Sequence, residues 1–83
     1  MDLEKIENLV RKGKKNEAFK YIKKASKNDR DFYAKTLLNE GINLGLMADY
    51  EISIIYFDFS KKIAIDEKLK EESKKSMAIS YSN

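Results

Sequence analysis

The sequence predicts an all-α fold of five helices, and three observations carry that prediction. Punctuation is the first: there is no proline, and the three glycines in 83 residues form no cluster of the kind that separates strands. Periodicity is the second, because apolar residues recur at helical spacing from Leu3 to Ile63. The third is the stretch from Tyr50 to Asp66, YEISIIYFDFSKKIAID, where large apolar residues are densest. At about 100° per residue they occupy two sides of one helix. One stripe is Tyr50, Ser53, Ile54, Phe57, Ser60 and Lys61, and the opposite side carries Ile52, Ile55, Tyr56, Phe59 and Ile63. A helix apolar on both sides is expected to be covered on both sides. Its β propensity is outweighed by helical flanks and by a length unusual for a strand.

The first helix is expected from about Asp2 to Lys12. Asp2 can cap it, Glu4 suits its positive end, and Leu3, Ile6, Leu9 and Val10 share one face. Gly13 ends it as a left-handed cap. A second helix, from about Asn16 to Lys27, turns Ala18, Phe19, Ile22 and Ala25 one way and Lys20, Lys23, Lys24 and Lys27 the other. Asn28 to Asp31 reads as a polar turn, with Asp31 capping the third helix. That helix spans about Phe32 to Met47. Gly41 and Gly45 each cost it about 1 kcal/mol relative to alanine, which points to close helix packing at both. Ala48-Asp49 is a tight link into the fourth helix. A fifth begins at Asp66, polar as far as Lys75, then apolar at Met77, Ala78, Ile79 and Tyr81.

Composition narrows the function classes. The absence of cysteine excludes disulfides and thiolate metal sites and suits a cytoplasmic protein. No apolar run approaches the roughly 20 residues of a membrane span, and charge from Asp2 onward speaks against a secretory signal. The net charge of +3 is uneven: residues 1–30 hold ten Lys/Arg against five Asp/Glu, and residues 31–83 hold seven against nine. Such a basic front could meet nucleic acid, an anionic membrane surface or an acidic protein, although a solvated lysine face is the simpler reading.

Sliding the chain against itself reveals an internal repeat. At an offset of 35, Leu9 falls on Leu44, Gly13 on Ala48, Ala18 on Ser53, Phe19 on Ile54, Tyr21 on Tyr56, Ile22 on Phe57 and Ala25 on Ser60. At an offset of 37, Gly41 falls on Ala78, Ile42 on Ile79 and Leu44 on Tyr81. This small/large pattern resembles the tetratricopeptide repeat, a helix–turn–helix unit of about 34 residues. The best match is residues 34–66, through Leu37, Gly41, Leu44, Asp49-Tyr50-Glu51, Ser53, Phe57 and Ser60. Residues 2–30 match through Gly13, Ala18, Ile22 and Ala25, and residues 67–82 supply a closing half-repeat helix. Serines replace two of the family's alanines, and tryptophan and a closing proline are lacking. The resemblance implies a single domain forming a short right-handed stack of helical hairpins.

A catalytic role lacks its parts. Without His or Cys, a nucleophile–base pair would need Ser with Lys, Asp or Glu, and no motif frames one. The carboxylates Asp49, Glu51 and Asp58, and Glu67, Glu71 and Glu72, read as helix-surface charge rather than as an acid/base pair or a metal site. No cofactor and no metal are expected. The resemblance instead implies a protein-binding groove lined by the first helices of successive repeats, here with Lys35, Leu38, Asn39, Ile42 and Leu46. Asn39 matches one residue of the family's clamp for chaperone-tail carboxylates, but Leu3, Glu7, Glu72 and Ser76 stand where its other members belong. A protein or peptide partner is expected, and a chaperone tail is not.

The outer face of the fourth helix adds a second expectation. At the 35-residue offset Glu17, Lys20 and Lys24 correspond to Ile52, Ile55 and Phe59, a charged surface in one repeat and an apolar one in the next. Exposing such side chains forfeits about 1.5–3 kcal/mol each. Self-association as a dimer through Ile52, Ile55, Phe59 and Ile63 is therefore expected. The rival is a nucleic-acid binder using Lys20, Lys23, Lys24 and Lys27 with Arg11, Lys12, Lys14 and Lys15, whose mark would be strong salt dependence.

Overall fold

Residues 3–82 are described by the structure, a computed structural model. Asp2, expected to cap the first helix, lies outside them. The described residues form five helices and no strand: α1 (Leu3–Arg11), α2 (Lys15–Ile22), α3 (Lys27–Leu46), α4 (Tyr50–Ile63) and α5 (Glu67–Ser82). The molecule measures 35 × 27 × 17 Å between backbone extremes, so along its thin direction there is room for two helix layers.

The two hairpin turns are built alike. Gly13 has φ +78°; its N–H donates to the Val10 carbonyl while the Lys14 N–H donates to the Leu9 carbonyl. Ala48 has φ +63°; its N–H donates to the Gly45 carbonyl while the Asp49 N–H donates to the Leu44 carbonyl. Both are the paired hydrogen bonds of a Schellman ending around a left-handed residue. The pairing of Gly13 with Ala48 at the 35-residue offset is thus also a geometric equivalence.

α3 begins earlier than expected. Ser26 is extended, and its Oγ accepts from the Asp29 N–H, so Asn28 to Asp31 form the first helical turn rather than a loop. A capping serine satisfies one of the orphan amides there. α2 accordingly stops at Ile22, and Ala25 lies between helices, half-buried. Asp31 caps a different segment from the one expected. Its Oδ1 accepts from the Ile65 and Asp66 amides at 2.7 and 3.1 Å, while the neighbouring Arg30 Nε donates to the Ile63 carbonyl at 3.0 Å. A cation at the C-terminal end of α4 and an anion at the entrance to α5 both suit the helix dipoles. Together they clamp the α4–α5 link to the start of α3.

α4 is the centre of the molecule and is covered on both sides. Tyr56, Phe59 and Ile63 are buried in one cluster with Ile6 and Val10 of α1, Ala18 and Ile22 of α2, and Ala34, Leu37 and Leu44 of α3. The opposite stripe, Ser53, Phe57 and Ser60, lies against α3 and α5. Gly41 gives Phe57 its place: a β-carbon there would fall 2.6 Å from Phe57 Cε1. Gly45 does not have the same role, because its β-carbon would meet only Ser53 Oγ, at 3.4 Å.

The outward face expected of Ile52, Ile55, Phe59 and Ile63 is absent. Phe59 and Ile63 are fully buried, and Ile52 and Ile55 are half-buried against the same cluster. The cover is the first helix pair, α1 and α2, both of which pack on α4. Phe59 and Ile63 therefore offer no surface to a second copy, and Ile52 and Ile55 offer only their partly exposed edges.

Candidate interaction groove

Serine hydroxyls set the position of α5. Ser60 Oγ–H donates to the Ala34 carbonyl at 2.6 Å and lies 3.0 Å from Ser73 Oγ; Ser53 Oγ–H donates to the Gly41 carbonyl at 2.8 Å and lies 3.3 Å from Ser80 Oγ. Each hydroxyl has one hydrogen, so Ser73 and Ser80 must be the donors to Ser60 and Ser53. All four are buried, and each pair repeats after seven residues along its helix. This two-rung ladder sets α3 and α5 parallel, on the same side of α4, with their C-terminal ends together.

Between those ends lies an open cleft of about 420 Å³. Its floor is Phe57 with Gly45 and Ser80, and its walls are Ile42 and Leu46 of α3, Ser76 and Ile79 of α5, and Tyr50 of α4. Leu46 is 82 % exposed, Ile79 64 % and Ile42 42 %. No charged side chain lines it. Met47 and Tyr81, at the ends of α3 and α5, are also exposed.

Of the residues expected in a groove, Ile42 and Leu46 line this cleft. Leu38 is core, Asn39 is exposed outside this cleft, and Lys35 borders a separate polar depression of about 300 Å³ with Asp66, Lys68, Leu69 and Glu72. Sequence reasoning missed Tyr50, Phe57 and the whole α5 wall, having drawn every groove residue from the third helix. The available signal was Gly45 opposite Ser76 and Ser80, small residues that leave the space.

The lysine face is elsewhere. Lys20, Lys23, Lys24 and Lys27 are all exposed. The one aromatic among them, Tyr21, has the Lys5 ammonium 4.7 Å from its ring centre, and Phe19 is flanked by Lys62 and Arg30 at 5.0 and 5.7 Å. The Lys5 contact covers one face of the Tyr21 ring, which a stacked base would also use.

A polar cluster joins α1 to the far side of α4. The Arg11 Nε donates to Tyr56 Oη at 2.6 Å. Burial pushes the Tyr56 phenol up, against the pull of that bond, and burial followed by the like charge of Glu40 holds the Glu7 carboxyl above its usual range. Among the described residues no His, Cys, Asp or Glu cluster could hold a metal ion, and no helix is long and apolar enough to cross a membrane. Comparison of the chain with protein-family models, with curated proteins and with solved structures finds no match.

Proposed function

We propose that this chain is a non-catalytic protein-interaction module on the plan of the tetratricopeptide repeat, and that the α3–α5 cleft holds a segment of its partner. The observation that carries the reading is the cleft itself: apolar, uncharged and open, with Leu46 and Ile79 exposed on facing walls. Side chains of that size left in water forfeit about 1.5–3 kcal/mol each, and a partner segment recovers it. The repeat reading has two supports, the matching turns at Gly13 and Ala48 and the parallel α3 and α5 lining one groove. It departs from a simple stack in the first pair, which lies across α4.

Self-association remains part of the proposal only through this cleft. The nucleic-acid reading keeps an exposed lysine face but has a single exposed aromatic, Tyr21, beside it, with Lys5 over one face of its ring. Site-specific photo-crosslinking separates the readings. A crosslinker at position 46 is expected to yield protein adducts, and one at position 23 is expected to yield none with RNA or DNA. The reverse pattern would overturn the assignment.

A further inference from the structure

The two ends of α5 are held in different ways. At its start the Asp31 carboxylate accepts from the Ile65 and Asp66 amides, and Arg30 Nε donates to the Ile63 carbonyl. The link from α4 is thereby tied to the first turn of α3. Next along α5 comes the inner rung, Ser73 on Ser60 at 3.0 Å, with both serines fully buried. The outer rung, Ser80 on Ser53, is longer at 3.3 Å, and Ser80 is 7 % exposed. Past the inner rung no apolar side chain of α5 enters the core: Ile79 and Tyr81 are exposed and Met77 is half-buried. Ser76, Ile79 and Ser80 border the open cleft instead of a packed layer.

The outer rung can part without leaving a buried orphan. Ser53 gives its one hydrogen to the Gly41 carbonyl, inside the α3–α4 pair, and keeps that bond when Ser80 leaves. Water takes the place of Ser80, so the net loss is a small part of the bond's strength. Phe57, on the floor of the cleft beside Ser80, is the core side chain that the move uncovers. The first helix pair is seated differently, through the fully buried Ile6, Val10, Ala18 and Ile22. Elements held by few buried apolar side chains open before those held by many. α5 has no glycine or proline at which to kink, so it moves as one piece. Ser73 and Ser80 stand roughly 10 and 21 Å along the helix from Asp66, so a swing about the Asp31 clamp moves the outer rung about twice as far as the inner.

We infer that α5 is a hinged wall of the cleft: it swings about the Asp31 clamp, parts the Ser53–Ser80 rung, and so opens the cleft to admit a partner segment and closes on it. This rests on the reading of the cleft as a partner site and adds a conformational step to that site. The swing itself needs no partner and is measured on the chain alone.

The test is thiol accessibility in the native protein, whose sequence has no cysteine of its own. Ser53→Cys and Ser60→Cys each place a thiol at a fully buried rung. Each is labelled with a thiol reagent under native conditions, and amide exchange is followed by mass spectrometry on the same samples. The Ser53→Cys thiol is expected to react about tenfold faster than the Ser60→Cys thiol, while the α5 amides are still protected. Ser80→Cys and Ser73→Cys make the same comparison from the α5 side, should circular dichroism melting show that an α4 variant does not fold. A disulfide across the outer rung, in oxidised Ser53→Cys with Ser80→Cys, is expected to lower the yield of protein adducts from the crosslinker at position 46, and reduction to restore it.

Equal reaction at the two rungs would overturn the hinge. Reaction at Ser53→Cys no faster than exchange of the α5 amides would overturn it too, because α5 would then be unwinding rather than swinging. Adducts indifferent to the disulfide would remove the swing from partner admission and leave the cleft as a rigid partner site. Absence of adducts in every form would overturn the reading of the cleft, while the thiol rates would still report the swing.

Discussion

Gly41 and Phe57 are in contact so close that the α3 backbone, not a side chain, forms the surface on which the ring rests. Phe57 is 2 % exposed, and a methyl at position 41 would have to displace its ring. Gly41→Ala is therefore expected to destabilise: overpacking costs about 1–3 kcal/mol. The gain in helix propensity, about 1 kcal/mol, offsets it only in part. At Gly45 the added methyl meets ordinary contact distance, so Gly45→Ala is expected to stabilise by up to about 1 kcal/mol. Urea denaturation of the two variants checks the opposite signs.

The serine ladder makes a second prediction. Ser60→Ala leaves the buried Ser73 hydroxyl without its acceptor, at a cost of about 1–3 kcal/mol. Removing Ser73 as well eliminates the orphan, so the double variant is expected to lose less than the sum of the singles. A double-mutant cycle measures the difference, and additive costs would remove the ladder as the device that sets α5.

Ala48 holds a left-handed conformation that costs a non-glycine residue about 1–2 kcal/mol. Gly13 holds the same conformation in the equivalent turn without that cost. Ala48→Gly is expected to raise the thermal midpoint, the relief exceeding the 0.5–1 kcal/mol or so that glycine adds to the unfolded entropy. Gly13→Ala is expected to lower it.

Phe59→Ala is expected to cost about 3–5 kcal/mol, a large share of the stability of a domain this small. Leu46→Ala, at an exposed position, is expected to change stability by less than about 0.5 kcal/mol. A lysine at position 59 would thus report unfolding rather than dimer dissociation, and denaturant curves read alongside light scattering tell the two apart.

Glu7 predicts a pH dependence. Its carboxyl titrates above its ordinary value in the folded protein, so between the two values the native state binds more protons than the unfolded one. Its contribution to stability is full below the ordinary carboxylate pKa and is lost as pH rises through the raised one. Glu7→Gln is expected to flatten the decline in melting temperature from acid toward neutral pH, and Glu40→Gln to weaken it, because Glu40 supplies the second cause.

Much of the architecture was legible in the residues alone. Helix spacing located all five helices, Gly13 marked a left-handed ending, and the two apolar sides of α4 required two covers. Boundaries slipped where a local signal had two readings: Ser26 rather than Asp31 caps α3, because either side chain can accept from a helix amide. Half of the groove was legible as well, through Ile42 and Leu46. Its α5 wall was not, because that helix turns serines inward and exposes Ile79 and Tyr81, the reverse of what hydrophobicity suggests.

The sequence by itself determined the helices, their order and the equivalence of the two turns, since these depend on spacing and on backbone preferences within a few residues. Only the tertiary structure decided what covers Ile52, Ile55, Phe59 and Ile63. A periodic face states that it must be buried but not by which element, and α1 and α2 reach it through contacts far apart in the chain. The site of the cleft was decided in the same way. Four serine hydroxyls, each of which could equally have faced water, bring two helix ends together around Phe57.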